Sequence, residues 1–148
     1  MELSDLYSDK ILEIAGNPPA AERLTDPDAS ARRVSRVCGS VIEVDLKVSD
    51  GVIVGYGHEV SACALGQTSA AIVAREIVGT PAAEFRRIRD EMTAMLKASG
   101  APPTGKWADL AYLEPVRDYK PRHTSTLLVF DAVADALDQL DGSAGAAA

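Results

Sequence analysis

The fold of this chain is decided by residues 42–60, which read IEVDLKVSDGVIVGYGHEV. Over residues 42–48 apolar and charged side chains alternate, which is the period-two pattern of a strand with one buried face. Asp50-Gly51 is a strong signal for a tight hairpin turn, and a second strand returns over residues 52–60. The stretch therefore predicts a small antiparallel sheet.

Helical patterns lie on both sides of this hairpin. Ser4 is expected to cap a first helix that ends near Gly16, after which a loop runs until extended chain begins at Val34. A second helix is predicted over residues 67–78, and Thr80-Pro81 would open a third, with Thr80 as its N-cap. The predicted fold class is α+β, with the small antiparallel sheet packed against several helices.

The C-terminal part continues this helical pattern. A short helix is expected near Trp107, and residues 124–140 predict a last helix with one apolar stripe towards the core. Residues 1–141 are expected to form a single domain, and residues 142–148, which are mostly Gly and Ala, a disordered tail.

Composition narrows the range of functions. The 148 residues carry a formal net charge of −7, which argues against nucleic-acid binding because phosphates call for a basic face. The first residues show neither a basic signal-peptide start nor a long apolar run, so we expect a cytoplasmic protein with no membrane contact. A Cys38–Cys63 disulfide is disfavoured in that compartment.

The two cysteines are the main candidates for chemistry. Cys38 lies in RVCGS at the edge of the predicted sheet, and Cys63 lies in SACALGQTSAA before the second helix. Two thiolates in such positions can converge on one metal ion or on sulfur, and a helix N-terminus favours the thiolate form. The alternative for Cys63 is a small buried residue, because free cysteine is among the most buried residue types.

Several motifs together resemble one known family. They are the CGS turn before a strand at Cys38, the small-residue helix after Cys63, and residues 113–122, LEPVRDYKPR, followed by the apolar residues 127–133. This arrangement resembles the IscU/NifU-like iron–sulfur cluster assembly scaffolds, and most strongly their SufU-type branch. The resemblance implies a SufE/NifU-like scaffold fold over nearly the whole chain.

The resemblance also implies a site of three cysteines and one aspartate, which this chain carries only in part. The aspartate position falls on Ser40 and the third cysteine position on Ser125, so Cys38 and Cys63 are the ligands that are left, with Arg122 matching a supporting arginine of the family. The implied cargo is a transient iron–sulfur cluster or zinc, with no metal at all as the alternative. The implied partners are a cysteine desulfurase and apo iron–sulfur proteins.

A histidine could replace one of the missing metal ligands. His123 stands two residues before Ser125 and is a candidate third ligand beside Cys38 and Cys63; the alternative is a solvated or helix-capping histidine. His58 lies in the second strand and is expected to be a partly buried histidine with a hydrogen-bond partner, not a ligand.

Three functions follow from these observations. The first is a scaffold-like carrier that binds iron, zinc or a transient cluster through Cys38 and Cys63 and passes cluster or sulfur on, with a second subunit as one source of missing ligands. The second is a metal-free interaction module of the same fold that regulates a cysteine desulfurase. The third is a sulfurtransferase in which Cys38 accepts a persulfide. The first and second are not enzymes.

Overall fold

The computed structural model describes residues 7–36 and 39–147. Within these ranges, three strands and four α-helices follow one another, with two 3-10 helices between the last two α-helices. The elements are α1 (Asp9–Gly16), β1 (Ala29–Ser35), β2 (Ser40–Ser49), β3 (Val52–Ser61), α2 (Ala64–Glu76), α3 (Ala82–Lys97), the 3-10 helices Gly105–Asp118 and Lys120–Arg122, and α4 (His123–Ala147).

The sheet has the order β1-β2-β3 and is antiparallel throughout, which confirms the predicted fold class. Its apolar face carries Ile42, Val44 and Leu46, which are fully buried as the alternation predicts. The sequence predicts extended chain only from Val34, near the end of β1, and misses the rest of this strand. Residues 29–33 read ASARR and hold none of the β-branched or aromatic residues that favour strands. It forms because β2 offers it a complete set of backbone partners.

A bulge in the hairpin changes which side of β3 is buried. Lys47 pairs with Gly55 and Val48 with Ile53, so Val54 has no partner in the register. Ile53 is fully buried and Val54 is 49% exposed, whereas alternation counted back from Tyr56 places Val54 on the buried face. From Tyr56 to Val60 the expected alternation holds.

The segment between α1 and β1 lies across the outer face of the sheet. The guanidinium group of Arg23 donates to both carboxylate oxygens of Asp45, at 2.6 and 2.9 Å, and the hydroxyl of Ser30 and the amide of Leu24 donate to the same group. Asp45 is only 1% exposed, although strand alternation predicts a solvated side chain. The hydrogen bond from Arg23 is the main cause that holds the pKa of Asp45 below its ordinary value.

Gly57 is required by this overlying segment. A Cβ atom at this position would collide with the carbonyl oxygen of Glu22 and would lie 3.0 Å from the amide nitrogen of Leu24. Both are backbone atoms and cannot swing away as a side chain could. We therefore expect Gly57→Ala to lower the free energy of unfolding by about 3 kcal/mol, as measured by urea denaturation.

Gly55→Ala is the matched control for this substitution. The atom nearest to its added methyl group would be Cβ of Lys47 at 3.2 Å, which needs to shift by only a few tenths of an ångström. Cδ1 of Leu24 follows at 3.6 Å, an ordinary van der Waals distance. Gly55→Ala is expected to lower the free energy of unfolding by less than about 1 kcal/mol. Equal losses in the two variants would contradict this explanation of Gly57.

Helix α4 lies between the sheet and the other helices. The predicted stripe of Leu127, Phe130, Ala134 and Leu137 is buried, but so are residues on other sides of the same helix, namely Leu128, Val129, Ala132, Val133 and Ala136. Its acidic residues pair with arginines of neighbouring elements: Arg33 with Asp135, Arg86 with Asp138 and Arg89 with Asp131. The helix continues to Ala147. The disordered tail expected over residues 142–148 stays a prediction.

Element boundaries differ from the predictions in ways that local chemistry explains. Ser8 caps α1 by accepting a hydrogen bond from Ile11, while Ser4 lies outside the described residues. Thr80 does not cap α3, which begins at Ala82 with Pro81 as its N-cap residue. The hydroxyl of Thr80 instead donates to the carbonyl of Glu76 and accepts from Lys106. The short helix expected near Trp107 is a longer 3-10 helix, and its buried residues recur every three positions, the 3-10 period: Trp107, Leu110, Leu113 and Val116.

Candidate metal and sulfur site

Cys63 is the N-cap residue of α2. Helix α2 begins at Ala64, three residues earlier than predicted, and the carbonyl of Cys63 accepts the first helical hydrogen bond, from Gln67 at 2.9 Å. The cysteine side chain caps none of the free amide groups and is half-buried. It therefore has partial access to solvent, next to the positive end of the helix dipole.

Ser125, on the first turn of α4, faces Cys63. The distance from Sγ of Cys63 to Oγ of Ser125 is 3.6 Å, and Ser125 is fully buried. The hydroxyl of Ser125 donates to the carbonyl of Arg122 at 3.2 Å, so in the thiol form Cys63 is the donor to Ser125. Thr126, which the sequence analysis did not single out, donates to the same carbonyl at 2.9 Å.

Gly66 makes this approach of the two helices feasible. A Cβ atom at Gly66 would lie 3.2 Å from the carbonyl oxygen of Ser125 and 2.9 Å from Cβ of Ala62. Any larger residue there would push α2 and α4 apart and separate Cys63 from Ser125. The small residues that follow Cys63 in the sequence are thus part of what builds the site.

Ser40 lies at the same end of the sheet. Val41 pairs with Ser61, so the beginning of β2 and the end of β3 are neighbours, and Cys63 follows Ser61 by two residues. Ser40 is 1% exposed and pairs in register with the fully buried Ser35. Cys38 lies outside the described residues, in the connection between Ser35 and Ser40.

His123 begins α4 and is buried, with 5% of its surface exposed. Its Nε2 lies 3.0 Å from the carbonyl of Val116 and 3.1 Å from that of Arg117, so Nε2 carries the proton and donates to both. Among residues 7–36 and 39–147, no three His, Cys, Asp or Glu side chains are grouped as a metal site. The role of His123 as a ligand beside Cys38 and Cys63 stays a prediction.

The remaining predicted residues have structural partners or lie at the edge of the site. Nδ1 of His58 accepts a hydrogen bond from the hydroxyl of Tyr56 at 2.7 Å, and burial lowers the pKa of His58, as expected for a partly buried histidine with a partner. Arg122 contributes its carbonyl to Ser125, and its guanidinium forms no ion pair with the part of the chain that the structure describes.

Comparison with known proteins gives the family. Residues 6–125 match the family of NifU-like N-terminal domains. The chain belongs to this NifU-like family. The family predicted from the sequence is thereby confirmed.

Individual relatives agree with this assignment. The crystal structure of a nitrogen-fixing NifU-like protein (N-terminal) from Brucella abortus is 51% identical, with a TM-score of 0.91 over 95% of this chain and 97% of that one. The iron–sulfur cluster assembly scaffold protein IscU of Thermotoga maritima is 24% identical over 91% of this chain and 94% of its own length. A putative SufU scaffold from Fervidobacterium islandicum, 18% identical over 92% of this chain and 99% of that one with a TM-score of 0.78, shares the fold.

Proposed function

We propose that this NifU-like protein is an iron–sulfur cluster assembly scaffold in which Cys38 and Cys63 bind the cargo, which is iron, zinc or a transient cluster. The cargo or its sulfur then passes to recipient proteins. Family membership supports the scaffold role, and the name of the Thermotoga relative agrees with it. Its place of action would be the cytoplasm; no helix within the described residues is long and apolar enough to cross a membrane.

One distance carries the assignment of the site. Two sulfur ligands at about 2.3 Å from a tetrahedral zinc ion lie about 3.8 Å from each other. Sγ of Cys63 and Oγ of Ser125 lie 3.6 Å apart, so these positions are spaced as two ligands of one metal would be. This spacing supports Ser125 as a position beside a shared metal, although a neutral hydroxyl is a weak ligand compared with a thiolate.

The reduced ligand set makes this a weak and reversible site. With Ser40 and Ser125 uncharged, Cys38 and Cys63 supply two thiolates, and the remaining ligands must come from His123, from a bound thiol or from a second subunit. A site of this kind suits transfer of its cargo to apo iron–sulfur proteins more than storage. A cysteine desulfurase is the expected source of sulfur, and Cys38 its acceptor.

Metal and sulfide analysis tests this proposal. We expect anaerobically purified protein, reconstituted with iron and sulfide or with zinc, to hold metal that the Cys38→Ser, Cys63→Ser double variant loses to background level. Ser69→Ala is the control, since it removes the hydroxyl of another fully buried serine and keeps both thiols. Equal metal content in the wild type and the double variant would overturn the proposal.

The metal-free interaction module is the second candidate. It is favoured by the observation that no three strong ligands are grouped within residues 7–36 and 39–147. Under this alternative, the double cysteine variant would still bind a cysteine desulfurase with unchanged affinity. Under the sulfurtransferase alternative, Cys38→Ser by itself would stop persulfide transfer from that enzyme.

A further inference from the structure

A cavity of about 550 Å³ lies between the end of α3, the end of the long 3-10 helix and the beginning of α4. Neither Cys63 nor Ser125 lines it. Its lining combines cationic, hydroxyl and imidazole groups with one carboxylate and one apolar side chain: Lys97, Arg117, Lys120, Ser99, Thr124, His123, Asp118 and Leu96. Its volume is within the range of pockets that hold small ligands.

The cavity is cationic although the protein is acidic. Lys97 and Lys120 form no ion pair with any residue that the structure describes, whereas Arg117 is neutralised by Glu114 at 2.8 Å. Asp118 is the one carboxylate in the lining. Two free ammonium groups against one carboxylate leave a net positive charge, which favours an anion.

His123 adds a fixed hydrogen-bond acceptor. Its ring is buried, and the two carbonyl groups of Val116 and Arg117 hold the proton on Nε2. In the neutral ring, Nδ1 then has only a lone pair to offer, and no residue within 7–36 and 39–147 forms a hydrogen bond with it. Because His123 lines the cavity, a ligand there can satisfy Nδ1 by donating a hydrogen bond.

We propose that this cavity binds a small protonated oxyanion, and that inorganic hydrogen phosphate is the ligand that fits its chemistry. The anionic oxygens would accept from Lys97, Lys120 and the hydroxyl of Thr124. The P–OH group would donate to Nδ1 of His123. The positive end of the α4 dipole, where Thr124 lies, adds to the attraction.

This arrangement discriminates between phosphate and sulfate. The two anions have the same shape, but sulfate carries no proton at neutral or mildly alkaline pH and cannot donate to an imidazole lone pair. Sulfate would leave Nδ1 of His123 unpaired beside an anionic oxygen, which is unfavourable. Neither Cys63 nor Ser125 lines the cavity, and the proposal does not depend on the scaffold function. It requires that His123 is not a metal ligand, so the missing ligands of the cysteine site would then come from a bound thiol or a second subunit.

The experiment is a titration with inorganic phosphate or with sulfate at pH 8 and constant ionic strength, followed by the amide NMR shifts of Leu96 and Thr124. We expect saturable shifts with phosphate, and binding at least about tenfold weaker with sulfate, as expected for one lost hydrogen bond. The Lys97→Gln, Lys120→Gln double variant should bind phosphate at least about tenfold more weakly. These lysines are exposed, so the variant is expected to fold.

Two further variants separate the effect of the cavity lysines from that of overall charge, and test the role of Nδ1 of His123. Lys10→Gln with Lys47→Gln removes the same charge elsewhere and should leave phosphate binding unchanged. His123→Gln keeps an N–H donor for the two carbonyls but has no Nδ1, so it should lose the preference for phosphate over sulfate. The proposal is overturned by an absence of saturable shifts, by equal affinity for sulfate in the wild type, or by an equal loss in the distant lysine variant.

Discussion

Ser125→Cys is expected to increase zinc affinity at least about a hundredfold. A four-ligand zinc site contributes about 10–16 kcal/mol, so each thiolate ligand accounts for roughly a quarter of this free energy. The substitution changes one atom, and that atom already lies 3.6 Å from Sγ of Cys63, close to the ligand spacing around zinc. Competition with a chromophoric chelator under anaerobic conditions measures the change.

The chain offers a matched control for the added thiol. Ser69 is also a fully buried serine, and its hydroxyl has no hydrogen-bond partner in the described part of the chain. It lies on α2 six residues after Cys63, about 9 Å along the helix axis. Ser69→Cys therefore adds a third cysteine away from the site. If it raised zinc affinity as much as Ser125→Cys does, the assignment of the Ser125 position would be wrong.

Adding Ser40→Asp to Ser125→Cys extends the test to the fourth ligand position. A carboxylate there would complete the three-cysteine and one-aspartate set and should raise affinity again. Ser40 is buried, so without metal the new charge should lower stability. Stabilisation of the double variant by zinc should consequently exceed that of Ser125→Cys alone.

Asp45→Asn is expected to lower the free energy of unfolding by about 3 kcal/mol at pH 7. The substitution removes a buried charge that accepts hydrogen bonds from Arg23, Leu24 and Ser30, and it leaves the guanidinium group without its main partner. Glu43→Gln is the control, because Glu43 also accepts from Arg23, at 3.0 Å, but is 41% exposed. Glu43→Gln should lower the free energy of unfolding by less than about 1 kcal/mol.

The Arg23–Asp45 ion pair also makes the free energy of unfolding depend on pH. The pKa of Asp45 in the folded protein is lowered, chiefly by the hydrogen bond from Arg23. The stabilisation that Asp45 provides is therefore fully present above the unfolded pKa of about 3.9, and it is lost as the pH falls through the folded-state pKa. Urea denaturation should therefore show the difference between the wild type and Asp45→Asn shrinking below about pH 4. A difference that stays constant down to pH 2 would contradict this.

Local sequence patterns predicted the central hairpin and most helices because these elements follow from nearby residues. Alternation of apolar and charged residues requires one buried face, and Asp50-Gly51 suits a tight turn, with Asp50 at φ +50° and Gly51 at φ +78°. Helix α4 was predicted from one stripe, yet it is buried on several sides because the sheet and the other helices enclose it. One apolar stripe in the sequence does not show on how many sides a helix packs against other elements.

Sequence motifs and alternation were enough to predict the family and the hairpin, because both are local properties of the chain. The four site positions that the family resemblance implies stay a prediction. Only the tertiary structure decided that Ser125 contacts Cys63, that Asp45 is buried beneath Arg23, and that β1 is a strand. The Cys63–Ser125 and Arg23–Asp45 contacts join residues 62 and 22 positions apart, and β1 depends on its pairing along the whole of β2 from Ser40 to Leu46. Such contacts are fixed by the packing of whole elements, which no local pattern encodes.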